Sequence, residues 1–227
     1  MTMKTDYYLH DRHYQKLKES GKNGNDLFGC LDEHKKELEF AFSSPLFKPG
    51  SRILELGCGT GDISLWLASQ GHDVIGVDIS TAAIHWAKEK AGETGMRVKF
   101  VVSDVCHMKE LDDDSFDVVI DSHCFHCIIG EDRSRFLKGA RRVLVRGGLL
   151  YIATMCGDPN VALTPGRHFD PSTRVCFLDD VAFRFYGKSD DILQEIRDAD
   201  FRILEWRVEE SFSEDEQDTL LVNAVKP

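Results

Sequence analysis

Long apolar runs are missing from this 227-residue chain. None approaches the ~18 residues that a membrane span needs. Met1 to Tyr14 is polar and lacks the apolar core of a secretory signal. Basic charge is also scarce. The 28 Lys and Arg stand against 39 Asp and Glu, giving a net charge of −11. Phosphate neutralisation needs a basic surface, so nucleic acid and anionic membrane are disfavoured as partners. There are only six prolines, and there is no internal repeat or low-complexity tract. The seven cysteines are odd in number, without a regular framework, and mostly inside apolar segments. They read as reduced thiols in a cytoplasmic protein rather than as a disulfide scaffold.

What is present suits one α/β domain: 42% hydrophobic residues, 30% charged, and chain enough for a sizeable core. Helices are predicted at 5–19 and 31–43, with a glycine- and asparagine-rich stretch at 21–25 between them. Strands are predicted at 51–56, 73–77, 97–102, 116–121 and 148–154, and helices at 61–70, 80–92, 131–143 and 189–199. Ser80 and Ser189 are the expected N-caps of their helices. Alternating helices and continuous apolar strands predict a doubly wound, mostly parallel sheet. Two more strands, 201–208 and 218–225, are joined by the acidic stretch Glu209 to Asp218 with no helix between. They form an antiparallel hairpin that completes a seven-stranded sheet. The segment 157–188 breaks the alternation with prolines and five aromatics, and reads as an irregular insertion at the ligand edge.

The most informative stretch is Ile53-Leu54-Glu55-Leu56-Gly57-Cys58-Gly59-Thr60-Gly61. A short buried strand, a turn with glycines on alternate positions and a helix start make a nucleotide-type cradle, where backbone can lie against a ligand. The spacing G-x-G-x-G, followed by Asp62, departs from the G-x-G-x-x-G fingerprint of pyrophosphate coenzymes. Glu55, Asp78, Asp104 and Asp121 all fall at or near predicted strand ends. That concentration of acid suits a cationic ligand better than a polyanion.

From Arg52 to Ile152 the chain resembles the Rossmann-like (class I) S-adenosylmethionine-dependent methyltransferases of the small-molecule type. The glycine turn ELGCGTG, VIGVDIS ending near Asp78, VSDV with Asp104, FDVVIDSH with Asp121, and ARRVLVRGGLL occur in the family's order and spacing. Arg146 stands where the family usually has proline. The resemblance implies S-adenosyl-L-methionine as cofactor and S-adenosyl-L-homocysteine as product. It implies that Gly57, Cys58, Gly59 and Gly61 contact the methionine part and ribose, with Glu55 orienting the turn. Asp78 would bind the ribose and Ile79 pack on the adenine. Asp104 and the Val105 backbone N–H would bind the adenine edge, and Asp121 with its neighbours the methionine ammonium. The same resemblance divides the chain into an N-terminal helical lid (1–50), a cofactor-binding core (51–156), a substrate cap (157–188) and a C-terminal helix and hairpin (189–227).

Ser122-His123-Cys124-Phe125-His126-Cys127 follows the fourth predicted strand, where the transferred methyl group would face the acceptor. The cluster reads as structural filling, as a base supplied by His123 or His126, or as a soft-metal site. Ligands this close in sequence converge poorly on one tetrahedral ion, so no metal is assigned. Tyr8 is the expected cofactor contact from the N-terminal helix. The activity implied is in-line methyl transfer to a small-molecule acceptor. A non-catalytic adenosylmethionine-binding module and a nicotinamide-dependent oxidoreductase stand as alternatives. Oligomeric state and the acceptor atom are not encoded in any motif.

Overall fold

The computed structural model describes residues 6–20, 31–159, 166–211 and 217–227. The stretch 21–25, residues 212–216 of the acidic connection 209–218 and residues 160–165 of the insertion lie outside them. Strands β1 (Arg52–Leu56), β2 (Asp73–Asp78), β3 (Val98–Val102), β4 (Phe116–Ser122) and β5 (Leu144–Met155) are parallel. The sheet order is β3-β2-β1-β4-β5-β10-β9, with β9 (Arg202–Glu209) and β10 (Thr219–Val225) forming the expected hairpin. β10 runs antiparallel to both neighbours.

Both sheet faces are covered, which explains the unbroken apolar strands. Ile53, Val118, Ile120 and Leu149 pack on Leu38 of α2 (Leu31–Phe42) and on Ile63 and Leu67 of α3 (Asp62–Ser69). Leu54, Leu56, Val119 and Leu150 point the other way, toward Phe136 and Leu137 of α5 (Asp132–Val143) and Ile192 and Ile196 of α6 (Ser189–Asp198). One-residue alternation along each strand sends neighbours to opposite faces. Helix α4 (Thr81–Thr94) begins as expected, with the Ser80 side chain accepting from the Ala83 N–H at 3.0 Å. Helix α6 starts at residue 189 as expected, but Ser189 is not its cap. Its cap is extended Lys188, whose carbonyl accepts from Ile192 N–H, and Ser189 is already helical.

The order reverses between β1 and β4: β2 and β3 lie on one side, β4 and β5 on the other. The carboxyl ends of β1 and β4 therefore frame the crevice where ligands bind in such sheets. Two additions surround it. Helix α1 (Leu9–Glu19) packs Tyr14 and Leu17 on Ala83 of α4. Its Asp11 carboxylate accepts from Ser80 Oγ (2.8 Å) and Ala82 N–H (2.9 Å).

The insertion is more regular than its sequence implies. It holds a three-stranded antiparallel sheet, β6 (Arg167–Asp170), β7 (Val175–Leu178) and β8 (Val181–Phe185). Leu178 pairs with Val181, so Asp179 and Asp180 form a two-residue hairpin, both with positive φ (48° and 62°). That is the backbone of a type I′ turn, where aspartate is tolerated. Val175 and Ala182 pack on Ile129 and Tyr7.

Arg133 ties this sheet to the core. It is 3% exposed, with its guanidinium 3.8 Å from the Phe125 ring centre and 4.0 Å from that of Phe185. Its Nη1 donates to the carbonyls of Phe125 (2.9 Å) and Ile128 (3.2 Å), while Nε and Nη2 fork onto Glu195 of α6.

Candidate active site

The turn after β1 is built by glycine. At Gly59 (φ +51°) a Cβ would sit 2.6 Å from Tyr14 Oη, and at Gly61 (φ +82°) 2.5 Å from Phe100 Cζ. A side chain at Gly59 would meet the roof of the crevice, and one at Gly61 the packed core of Phe100 and Ala87. The turn is pinned from both sides. Cys58 N–H donates to the Val77 carbonyl at 2.9 Å, and Gly59 N–H donates to Asp78 Oδ2 at 2.9 Å. Asp78 Oδ1 accepts from Ser80 N–H at 2.8 Å, so one carboxylate joins the ends of β1 and β2. Burial holds Asp78 above the usual carboxylate range.

Gly57, Cys58, Gly59, Asp78, Ile79, Asp104 and Val105 all line one cavity beside this turn, as does Glu55. Its cavity volume is about 150 Å³. Glu55 is 3% exposed and accepts from Ser64 Oγ of α3. Burial pushes it up to about 8, which makes it a mostly neutral partner of the turn at pH 7. Asp104 accepts from Cys106 N–H at 2.9 Å and bonds His107 Nδ1 at 2.7 Å.

Five expectations need correction. Gly61 is not part of the cavity lining, and its open side faces Phe100 and Ala87 in the core. Asp121 is fully buried and does not face the cavity. Its Oδ1 accepts from the Cys124 and Phe125 N–H groups at 3.0 and 2.9 Å and so builds the tight turn Phe125–Cys127. Burial raises it to about 8. Ser122, next to it, does line the cavity. Tyr8 is 61% exposed and outside the lining. The inward face of α1 belongs to residues at helical spacing, His10 and Tyr14, with Tyr7 just before it. His126 is 1% exposed and walled off from the cavity, its Nε2 accepting from Arg184. Burial lowers it to about 4, so it is a neutral structural group. Asp62 forms an ion pair with Lys90 at 2.8 Å, which partly offsets its repulsion of a polyanion. The preference for a cationic ligand rests more on Asp78 and the glycine spacing than on Asp62.

Of the two histidines after β4, His123 is the one that meets the cavity. Its φ of +67° is unusual for a non-glycine residue and aims the ring out of the strand end. Its Nε2 lies 2.9 and 3.1 Å from the two carboxylate oxygens of Glu37 on α2. A carboxylate only accepts, so Nε2 carries the hydrogen and Nδ1 is the basic atom. Burial opposes charge on His123, yet the Glu37 hydrogen bond and charge hold it above its ordinary value. Glu37 is lowered in turn: His123 outweighs the effect of burial. Tyr151 Oη donates to the Glu37 carbonyl at 2.9 Å and fixes that turn of α2.

Glu37 has no motif around it. Its contact with His123 spans 86 positions, and only the polar pair His34–Glu37 at i, i+3 on an amphipathic helix hinted at it. His34, Glu37 and His123 place their ligand atoms within 4.8 Å of one another. The direct 2.9 Å hydrogen bond is shorter than the ~3.3 Å separating two donors on a tetrahedral zinc with ~2.0 Å bonds. In this structure Glu37 and His123 are joined directly as a hydrogen-bonded pair.

A family model described as a methyltransferase domain matches residues 54–152. The chain is 30% identical over 175 residues to phosphoethanolamine N-methyltransferase 3 of Arabidopsis thaliana, covering 77% of this chain and 32% of that one. It therefore spans about a third of that relative's length. It is 25% identical to a ubiquinone biosynthesis O-methyltransferase of Hahella chejuensis, covering 79% and 78% of the two chains. A solved S-adenosylmethionine-dependent methyltransferase of Methanosarcina mazei superposes with a TM-score of 0.64 at 25% identity, covering 80% of this chain and 94% of that one. Among the described residues, no helix is long and apolar enough to cross a membrane.

Proposed function

The chain belongs to the Rossmann-like (class I) S-adenosylmethionine-dependent methyltransferases, and from that premise we propose that it methylates a small-molecule acceptor, with His123 as general base held by Glu37. The observation that carries the reading is the closed glycine turn, bonded to Asp78 and roofed by Tyr14, in a crevice whose open wall holds His123. Gly57 and Gly59 leave room for the backbone to meet the donor's ribose and amino-acid part. Asp78 would accept from the ribose hydroxyls, Ile79 pack on the adenine, and Asp104 and the Val105 N–H meet the adenine edge. Ser122 and the carbonyls around Asp121 would receive the ammonium. When bound, the cofactor supplies an electrophilic methyl group on a sulfonium.

The remaining tasks belong to the chain. Tyr7, His10 and Tyr14 on the N-terminal side act as a lid that excludes water. His123 Nδ1 takes the proton of an acceptor hydroxyl, amine or thiol, while Glu37 fixes the tautomer and ring. The relatives' names span an amine and an oxygen acceptor, and both need that proton removed.

Calorimetry tests the cofactor first: S-adenosylhomocysteine should bind stoichiometrically and NAD should not. The opposite result favours an oxidoreductase. Labelled donor with a panel of alcohols, phenols, amines and thiols should give transfer. Binding without transfer to any of them favours a non-catalytic module.

His123→Ala is expected to lower turnover by about 10²–10⁴-fold while leaving product affinity within a few-fold. The neutral ring is the active form, so kcat/KM should fall as pH drops through an inflection above the ordinary histidine value of about 6.5. Glu37→Gln removes the charge that raises it, and the inflection should move to lower pH. An unmoved inflection removes Glu37 from that role.

A further inference from the structure

Cys124-Phe125-His126-Cys127 is a Cys-x-x-Cys motif that methyl transfer leaves unused. It lies on the tight turn after β4, where Cys127 N–H donates to the Cys124 carbonyl at 2.8 Å. Such an i to i+3 bond holds the two Cα atoms within about 7 Å, and disulfides span ~4.4–6.8 Å. Both thiols are half-buried, unbridged and on the wall of the cavity.

The two sulfurs sit in unlike surroundings. Arg184 of β8 donates to Cys127 Sγ at 3.5 Å, and His10 of α1 bonds the same sulfur. Burial works against a thiolate at Cys127, and so do Asp78 of β2, Asp121 of β4 and Cys124. Arg184 and His10 stand against them, and the thiol is held below its ordinary range. Arg184 stays charged at every working pH. Burial and the neighbouring Asp121 push Cys124 the other way. A low thiol beside a high one is the asymmetry of a nucleophile and its resolving partner.

We propose that Cys124 and Cys127 form a reactive dithiol on the cavity wall that is oxidised by low-molecular-weight disulfides, and that the resulting internal disulfide weakens donor binding. The Cys127 sulfur attacks one sulfur of the external disulfide and expels the other as a thiolate. Cys124 gives its proton to solvent, attacks the Cys127 sulfur and expels the second thiolate. Two protein thiols are thereby oxidised, and one external disulfide is reduced to two thiols. The link to the donor site is Gly57, where a Cβ would lie 2.6 Å from Cys124 Sγ. Cys124 thus packs directly against the glycine turn, and drawing it toward Cys127 disturbs that packing. This coupling, unlike the dithiol chemistry, rests on the donor-binding reading of the cavity.

The test is to incubate the full chain with glutathione disulfide and map the product by mass spectrometry. The expected product has lost two hydrogens and carries a Cys124–Cys127 link. Cys124→Ser should trap glutathione on Cys127, and Cys127→Ser should prevent the reaction. Between pH 8.5 and 6.5 the rate should change less than about 3-fold, whereas an ordinary thiol slows about 50-fold. Arg184→Met should restore the steep dependence. Saturating S-adenosylhomocysteine should slow oxidation at least tenfold, and the oxidised protein should bind it at least tenfold more weakly. A first adduct at another cysteine, a missing link or a steep profile in the unaltered chain overturns the dithiol. Calorimetry on the same sample separates the two readings. If the homocysteine product binds yet gives no protection, or binds both redox forms equally, the coupling is wrong. If it does not bind at all, the donor reading fails and the dithiol stands or falls on its link and pH profile.

Discussion

Asp78→Ala is expected to weaken S-adenosylhomocysteine binding by roughly 10²–10³-fold, about 3–4 kcal/mol, measured by calorimetry. The side chain has two tasks. In the free protein it accepts from Gly59 and Ser80 N–H groups and so fixes the turn against β2. With donor present, its carboxylate would also take the ribose hydroxyls as charge-assisted acceptors. Alanine loses both. Asp78→Asn is the informative control. It keeps the shape and the bond from Ser80, but turns an amide donor toward Gly59 N–H, so an intermediate loss is expected. Burial holds Asp78 above the usual carboxylate range, so affinity should begin to fall at a higher pH on acidification than an ordinary aspartate would allow. Alanine with unaltered affinity would remove Asp78 from the ribose site.

The second large effect is on stability. Arg133→Ala is expected to destabilise the fold by about 3–4 kcal/mol, because it orphans a buried carbonyl and removes half of an ion pair. In a chain of this size that lowers Tm by roughly 6–16 °C, read by thermal unfolding. The Ile128 carbonyl loses its donor, the Phe125 carbonyl keeps only the Ile128 N–H, Glu195 loses its partner, and the rings of Phe125 and Phe185 face a void. Arg133→Lys keeps the charge but cannot fork, and should recover less than half. A lysine variant as stable as the parent would mean that charge alone matters there.

Local rules were enough for much of this molecule. The glycine turn, the acids at strand ends and the strand–helix alternation each depend on residues close in sequence. They placed Gly57, Gly59, Asp78, Ile79, Asp104 and Val105 around one site. What was not legible depends on distant contacts or on side-chain direction. Glu37 reaches His123 across 86 positions, and apolar periodicity in α2 says nothing of its polar face. Tyr7 and Tyr8 are indistinguishable by type, and only the phase of α1 decides which one enters the cavity. Asp121 sits at a strand end like Asp78. One turns toward the glycine loop and the other toward the amides of its own following turn. The regular strands of the insertion did leave a trace, since Asp179-Asp180 between Leu178 and Val181 is a hairpin signal.

The link from Asp11 to Ser80 has a consequence for proteolysis. Ser80 donates its backbone N–H to Asp78 and its hydroxyl to Asp11. Ligand occupancy and docking of the first helix therefore share one residue. A protease probing the N-terminal segment should find it harder to cut when the cavity is filled, and the degree of protection would read out occupancy without any label on the donor.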